Sequence, residues 1–374
     1  MKNLLRLASL SLAWGASVHA GPFLAIGSGA ELFLTGSAGI RADDNIFLGP
    51  KAESDLIFDL TPGVEVSYGK NAQLKSKLTL QDHFSRYSDN SRLNTNLFSG
   101  AFATSFDDGK TKLRFNASFR ELNQNTFDVR PTLVGGTAGG LVRRDLFETS
   151  ADTEIELSQL TSVAAGVAFG RDHYKRAGFT DADYLTVPLD AFYKWTAKTD
   201  ISVGYRYRDV RLALGRDSTE HFLNIGARGE FSPKLKGRLA VGLNRRSVER
   251  AGSDNQLGLE ADFNYELTPK TTLELGARND FGISPQGQQL KNKSLRAQVI
   301  ARIAAEWSVG AGLFWRAIDY GVRTDDYYEF QLNAAYVVSP QVRIIGGYVH
   351  RDYNSSRLSE FKNNVFSVSA DFRY

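Results

Sequence analysis

Apolar residues recur at every second position through most of this chain, and the last nine residues show it most plainly. Phe366, Val368, Ala370, Phe372 and Tyr374 alternate with Ser367, Ser369, Asp371 and Arg373. Successive side chains of a strand point to opposite faces, so this is a strand with one apolar and one wet face. The same pattern recurs upstream. Ile201, Val203, Tyr205 and Tyr207 oppose Ser202, Gly204, Arg206 and Arg208. Leu257, Leu259, Ala261, Phe263 and Tyr265 oppose Gly258, Glu260, Asp262 and Asn264. Leu185, Val187, Leu189, Ala191 and Tyr193 oppose Thr186, Pro188, Asp190, Phe192 and Lys194.

Short turn-like segments punctuate the alternation. They include Asp107 to Thr111, Thr196 to Asp200, Ser232 to Lys234, Thr268 to Thr271 and Ser339 to Gln341. From Lys198 onward they return about every 35 residues, the length of two tilted membrane strands, an outer loop and a turn. The spacing predicts an all-β fold: a transmembrane antiparallel up-and-down barrel of about 18 strands, with 16 as the alternative. A bacterial barrel with both ends in the periplasm has an even strand count, and the short turns then fall on the periplasmic side. Trp195 and Trp307 lie beside such turns on the apolar face, where aromatic rings anchor at the membrane boundary.

The N-terminus reads as a secretory signal. Lys2 and Arg6 precede a short apolar run from Leu7 to Trp14, and Val18-His19-Ala20 offers a cleavage site. The expected organisation is a signal peptide over 1–20, a short periplasmic segment over 21–29 and the barrel over 30–374. Losing Lys2 and Arg6 lowers the formal charge from +3 to +1, so nothing in the balance suggests a nucleic-acid partner. Cysteine is absent, and disulfides cannot hold this exported fold. A closed barrel needs none, because every backbone group pairs around the ring. The expected location is the bacterial outer membrane. The expected partners are its lipid and the barrel-assembly machinery, which reads a final strand such as Phe366, Val368, Phe372 and Tyr374. Oligomeric state is not legible.

Several segments resemble the β-barrel porin 2 family of outer-membrane proteins. They are Asp43-Asp44-Asn45-Ile46-Phe47, Arg86-Tyr87-Ser88-Asp89-Asn90, Asp107 to Leu113, Phe119 to Asn125, Arg143-Arg144-Asp145 and Asn363 to Phe366. The resemblance implies a barrel and carries over no catalytic residue. Some members are encoded with exopolysaccharide-biosynthesis genes, which implies a polysaccharide cargo.

The wet face is charged. Arg114 and Arg120 on one strand stand beside Glu154 and Glu156 on the next, and Arg238 faces Glu260 and Asp262. Arg206, Arg278 and Arg296 add to it. Such stripes either set up a transverse field across a pore or form cross-strand pairs that stiffen the wall. Pairing is the simpler reading, because adjacent ladders alternate in sign. The longest outer connection, the third, runs from Asn125 to Val142 and carries Arg130, Gly135, Gly136, Gly139 and Gly140. It either folds inward as a constriction or stays on the surface. His83, His173, His221 and His350 fall near outer strand ends, with no spacing that sets a nucleophile beside a base. Acidic pairs such as Asp181 with Asp183 lack further oxygen ligands at fixed spacing, so neither a metal nor a cofactor is expected. The function read from these features is a hydrophilic outer-membrane passage linked to exopolysaccharide. A general diffusion porin is the alternative, and a lipid-acting barrel enzyme is a more distant one.

Overall fold

The computed structural model describes residues 21–27, 29–125, 141–357 and 360–374. A short strand, β1 (Leu24–Ile26), leads into eighteen long ones. They are β2 (Ala30–Asp43), β3 (Asp55–Tyr68), β4 (Leu74–Tyr87), β5 (Thr95–Asp107), β6 (Thr111–Asn125) and β7 (Leu141–Glu156). Next come β8 (Thr161–Tyr174), β9 (Ala182–Lys194), β10 (Thr199–Leu212), β11 (Ser218–Ser232), β12 (Leu235–Val248) and β13 (Gly252–Thr268). The last six are β14 (Thr271–Ile283), β15 (Gln289–Arg302), β16 (Trp307–Asp319), β17 (Thr324–Val337), β18 (Val342–Ser355) and β19 (Phe361–Arg373).

Each long strand pairs antiparallel with its sequence neighbours, and β19 returns to pair with β2. Val365 stands opposite Asp43 and Phe372 opposite Gly36 across this seam. Leu34 and Tyr374 exchange both backbone bonds there, at 2.7 and 2.9 Å. The ring is therefore a closed barrel of eighteen strands, which settles the choice against sixteen. At strand spacings of ~4.8 Å and a tilt of ~40°, a circular ring of this size is about 35 Å across its backbone.

The expected segment before the barrel is partly a strand. Leu24, Ala25 and Ile26 pair with Leu32, Glu31 and Ala30 of β2. Gly27, at φ 61, takes the left-handed backbone that begins the reversal. Residues 1–20 lie outside the described residues.

Local chemistry shapes the short turns. Between β5 and β6 the Asp108 carboxylate accepts the amides of Thr111 at 2.6 Å and Lys110 at 3.0 Å. These bonds, the Thr111 one first, hold its carboxyl below the ordinary carboxylate range. Gly109 supplies the positive φ of 91 that the reversal requires.

The barrel is inside out relative to a soluble sandwich. Its outward residues are exposed apolar side chains: Val203 is 59% accessible, Ile225 64% and Phe366 60%. Trp195 and Trp307 also stand exposed on the outer wall, beside the turns that follow β9 and β15. Only lipid can cover such a band without cost. Buried apolar clusters are small and sit inside the ring near its long-loop end.

The two faces predict opposite responses to one substitution. Ile225→Arg places a charge in the apolar band and should cost roughly 2–4 kcal/mol if it lies near the midplane. Gln298→Arg points into the lumen opposite Glu274 and beside Gly312, and should be tolerated. Heat-modifiability of the folded barrel on gels reads both. Equal loss in the two variants would contradict the face assignment.

Candidate functional site

The lumen departs from a plain cylinder at β14. Ladder pairing between β13 and β14 ends at Leu259 opposite Asn279, although β13 continues back to Gly252 along β12. Beyond that point β14 stays paired only with β15. Residues 280–285 are all buried, so the alternation of exposed and covered positions is lost. Both faces of this hairpin end are therefore covered by protein. Its contacts show where it goes. The Thr180 amide donates to the Pro285 carbonyl at 2.8 Å. Arg246 on β12 donates to the Gly282 and Leu290 carbonyls, and Lys291 pairs with Asp254 of β13 at 2.7 Å. The hairpin leaves the wall and leans across the inner faces of β10–β12 toward the connection after β8.

Charge holds it there. Asp280 accepts Arg208 and Arg206 of β10, each at 3.1 Å, and Asn244 of β12 at 2.7 Å. Arg208 also pairs with Glu220, which accepts Arg246 at 2.6 Å, and Arg206 pairs with Glu260. Three guanidiniums thus meet three carboxylates, and Arg208, Glu220 and Arg246 are almost fully buried. Buried charges persist only when paired and hydrogen-bonded, so the set is self-neutralising. Aromatic rings flank it, one on the wall and one on the hairpin. Arg206 lies 5.0 Å from the Phe222 ring centre and Arg246 4.3 Å from that of Phe281.

A second network crosses the lumen nearer the short-turn end. Arg228 of β11 reaches Glu154 of β7 at 2.5 and 3.0 Å and Asp200 of β10 at 3.0 Å, resting 3.5 Å above the Phe192 ring. Strands four positions apart lie ~19 Å apart along the sheet. One arginine and one glutamate bridge that gap only where the wall is sharply curved, so the cross-section is narrower at β7–β11 than a circle allows.

The other charged positions line up more locally. Arg120 pairs with Glu148 at 2.9 Å, and Arg238 with Asp262 at 3.2 Å. Arg296 reaches Asp262 at 3.7 Å. Arg114 stands opposite Asp152, and Arg278 opposite Glu260. Glu156 is at the exposed rim, opposite Ser162. Arg130, Gly135, Gly136, Gly139 and Gly140 lie outside the described residues. Among the described residues, the β14–β15 hairpin is an element that leans into the lumen. Sequence gave no sign of it, because Phe281 and Ile283 continue the outward pattern of β14.

The opposite wall also turns inward. In the connection after β2, Ile46 and Leu48 are buried, with Leu48 against Tyr327, Tyr353 and Phe361. The Asn45 amide donates to the Gly49 and Lys362 carbonyls and fixes this loop. A cavity of about 100 Å³ remains beneath it, bordered by Arg41, Asp43, His83 and Arg351.

The histidines are dispersed. His83 bonds Thr61 at 2.8 Å and Ser85 at 3.0 Å, and His173 meets Asp181 at 2.7 Å. His221 bonds the Tyr205 hydroxyl at 2.7 Å, and His350 bonds Asn364 at 2.9 Å. Among the described residues no three His, Cys, Asp or Glu side chains gather as a metal site.

Comparison with known proteins fits this architecture. Residues 33–374 match the family described as Putative beta-barrel porin 2. The chain belongs to that family. No curated protein matches it. Among solved structures it is similar to OccK2 (OpdF) of Pseudomonas aeruginosa, at 10% identity and TM-score 0.50, covering 92% of this chain and 98% of that one. It is also similar to a BenF-like porin of Pseudomonas fluorescens Pf-5, at 10% identity and TM-score 0.49, covering 92% and 99%. At such identity the likeness concerns the barrel fold alone. The protein is a porin-like barrel of the bacterial outer membrane.

The networks differ in how much they stabilise. Asp280→Ala leaves two buried arginines short of a partner and should cost about 3–5 kcal/mol. Glu230 sits on the exposed rim between Lys198 and Lys236, and Glu230→Ala should leave the unfolding midpoint in detergent unchanged.

Proposed function

We propose that the protein provides a narrow aqueous passage across the outer membrane for a hydrophilic solute without strong net charge, and that this solute is a saccharide chain. The observation that carries the reading is the self-neutralised lumen beneath an inward-leaning hairpin. Eighteen strands enclose an aqueous channel unless something fills it. Here side-chain networks and β14–β15 occupy part of that space. Paired charges offer little net field to select an ion, yet they keep the wall wet and rich in hydrogen-bonding groups. An exopolysaccharide is the cargo that the family resemblance favours. The barrel fold shared with porins favours diffusion of small hydrophilic solutes as a second reading.

Planar-bilayer recordings and a chromosomal deletion separate the two. A saccharide conduit should show small, weakly ion-selective steps in the wild type. Replacing 284–288 with a two-residue turn should enlarge them. Loss of the gene should reduce surface polysaccharide. Large steady conductance in the wild type, unchanged by the shortened hairpin, would favour the diffusion pore. Unaltered surface polysaccharide in the deletion strain would remove the export role whatever the conductance.

A further inference from the structure

We propose that the outer wall carries a binding site for the phosphate group of a membrane lipid, formed by Arg86 of β4 and Arg143 of β7. The two arginines come from segments, Arg86 to Asn90 and Arg143 to Asp145, that the lumen does not use as a unit. Arg144, the neighbour of Arg143, points the other way and is buried against Asp172 at 3.0 Å. Arg143 itself is exposed on the outward face.

The strands between them complete the pocket. Arg86 donates to the Thr95 carbonyl and the Asn96 side chain, each at 2.8 Å. Arg143 donates to the Asn96 carbonyl at 3.3 Å. The space they border, with Asn94, Thr95 and Asn96, is about 570 Å³. Among the described residues, two guanidiniums and no carboxylate line it. The nearest acidic groups sit to one side: Glu121 accepts Arg143 and Lys175, each at 3.4 Å, and Asp145 pairs with Lys175 at 2.8 Å. Asp82, on the same face of β4 and opposite Phe98, lies below them, so what marks the pocket is two adjacent guanidiniums rather than a net charge of the rim. The Ser85 carbonyl also accepts Arg86, at 2.9 Å. With the bonds to Thr95 and Asn96, this takes three of its five N–H groups and pre-sets the guanidinium. Nε–H and one Nη2–H are left to grip a phosphate at a lower ordering cost.

A lipid headgroup, rather than a free anion, is what the surroundings favour. The pocket opens away from the lumen and lies at the long-loop end of the apolar band. Directly below it are aromatic rings on the same outward face. Arg86 stands 5.6 Å from the Phe84 ring centre, and Phe98 and Phe119 pack with centroids 6.3 Å apart. A cationic pocket above a ring-lined apolar strip matches an amphiphile with phosphate above acyl chains.

The test uses the full-length barrel in detergent, with bound lipid quantified by native mass spectrometry. The probes are bisphosphorylated lipid A, its dephosphorylated form and inorganic phosphate as competitor. The wild type should retain the bisphosphorylated lipid. Arg86→Gln with Arg143→Gln should weaken retention at least about tenfold. The double lysine variant should fall between, since it keeps charge but loses the fork. Arg245→Gln, an outward arginine on β12, should change nothing. Undiminished retention in the double glutamine variant would overturn the proposal, as would equal retention of the dephosphorylated lipid. Displacement of the lipid by inorganic phosphate at comparable concentration would reassign the pocket to a free anion.

Discussion

Backbone hydrogen bonding is the constraint on which the rest of this structure depends. Within hydrocarbon no water is available to an open strand edge, and each unsatisfied N–H or C=O costs several kcal/mol. The chain meets this by closing β19 onto β2, where Leu34 and Tyr374 complete the seam. Closure makes disulfides unnecessary, which suits a chain without cysteine. It also forces every strand to present one face to lipid and the other to the lumen, so the period of two follows from the same requirement.

That division moves the polar residues inward, and where they crowd water out, as at Arg208, Glu220 and Arg246, unpaired charge is costly. The lumen answers with pairing at two levels. Near the short-turn end Arg228 ties β7 to β11 through Glu154. Near the long-loop end, Asp280 draws β14 off the wall and into contact with β10 and β12. The same interactions that neutralise the charge also narrow the passage, so wall stability and pore width are set by one group of side chains.

How much of this was readable from sequence depended on range. Strand positions were legible because alternation is local: the alternating run from Ile201 to Arg208 lies within Thr199–Leu212, and that from Leu257 to Tyr265 within Gly252–Thr268. That Arg238 faces Asp262 was legible because the two lie on the wet faces of adjacent strands. Contacts over three or four strands were not legible. Nothing near Arg228 names Glu154 as its partner, 74 residues away. Nothing in Asp280 to Ile283 distinguishes an inward hairpin end from a regular strand. The outward pocket shows the same limit. Arg86 and Arg143 were visible as parts of familiar segments, while their approach depends on strands β5 and β6 lying between them.

The sequence by itself determined the closed antiparallel barrel, its strand number within two, and which residues share a face. Those properties rest on hydrogen bonding and side-chain period, which act between near neighbours. Tertiary structure alone decided where the lumen narrows and which charges meet across it. Those properties depend on the curvature of the whole ring and on where β14 parts from β13, and no local pattern encodes either.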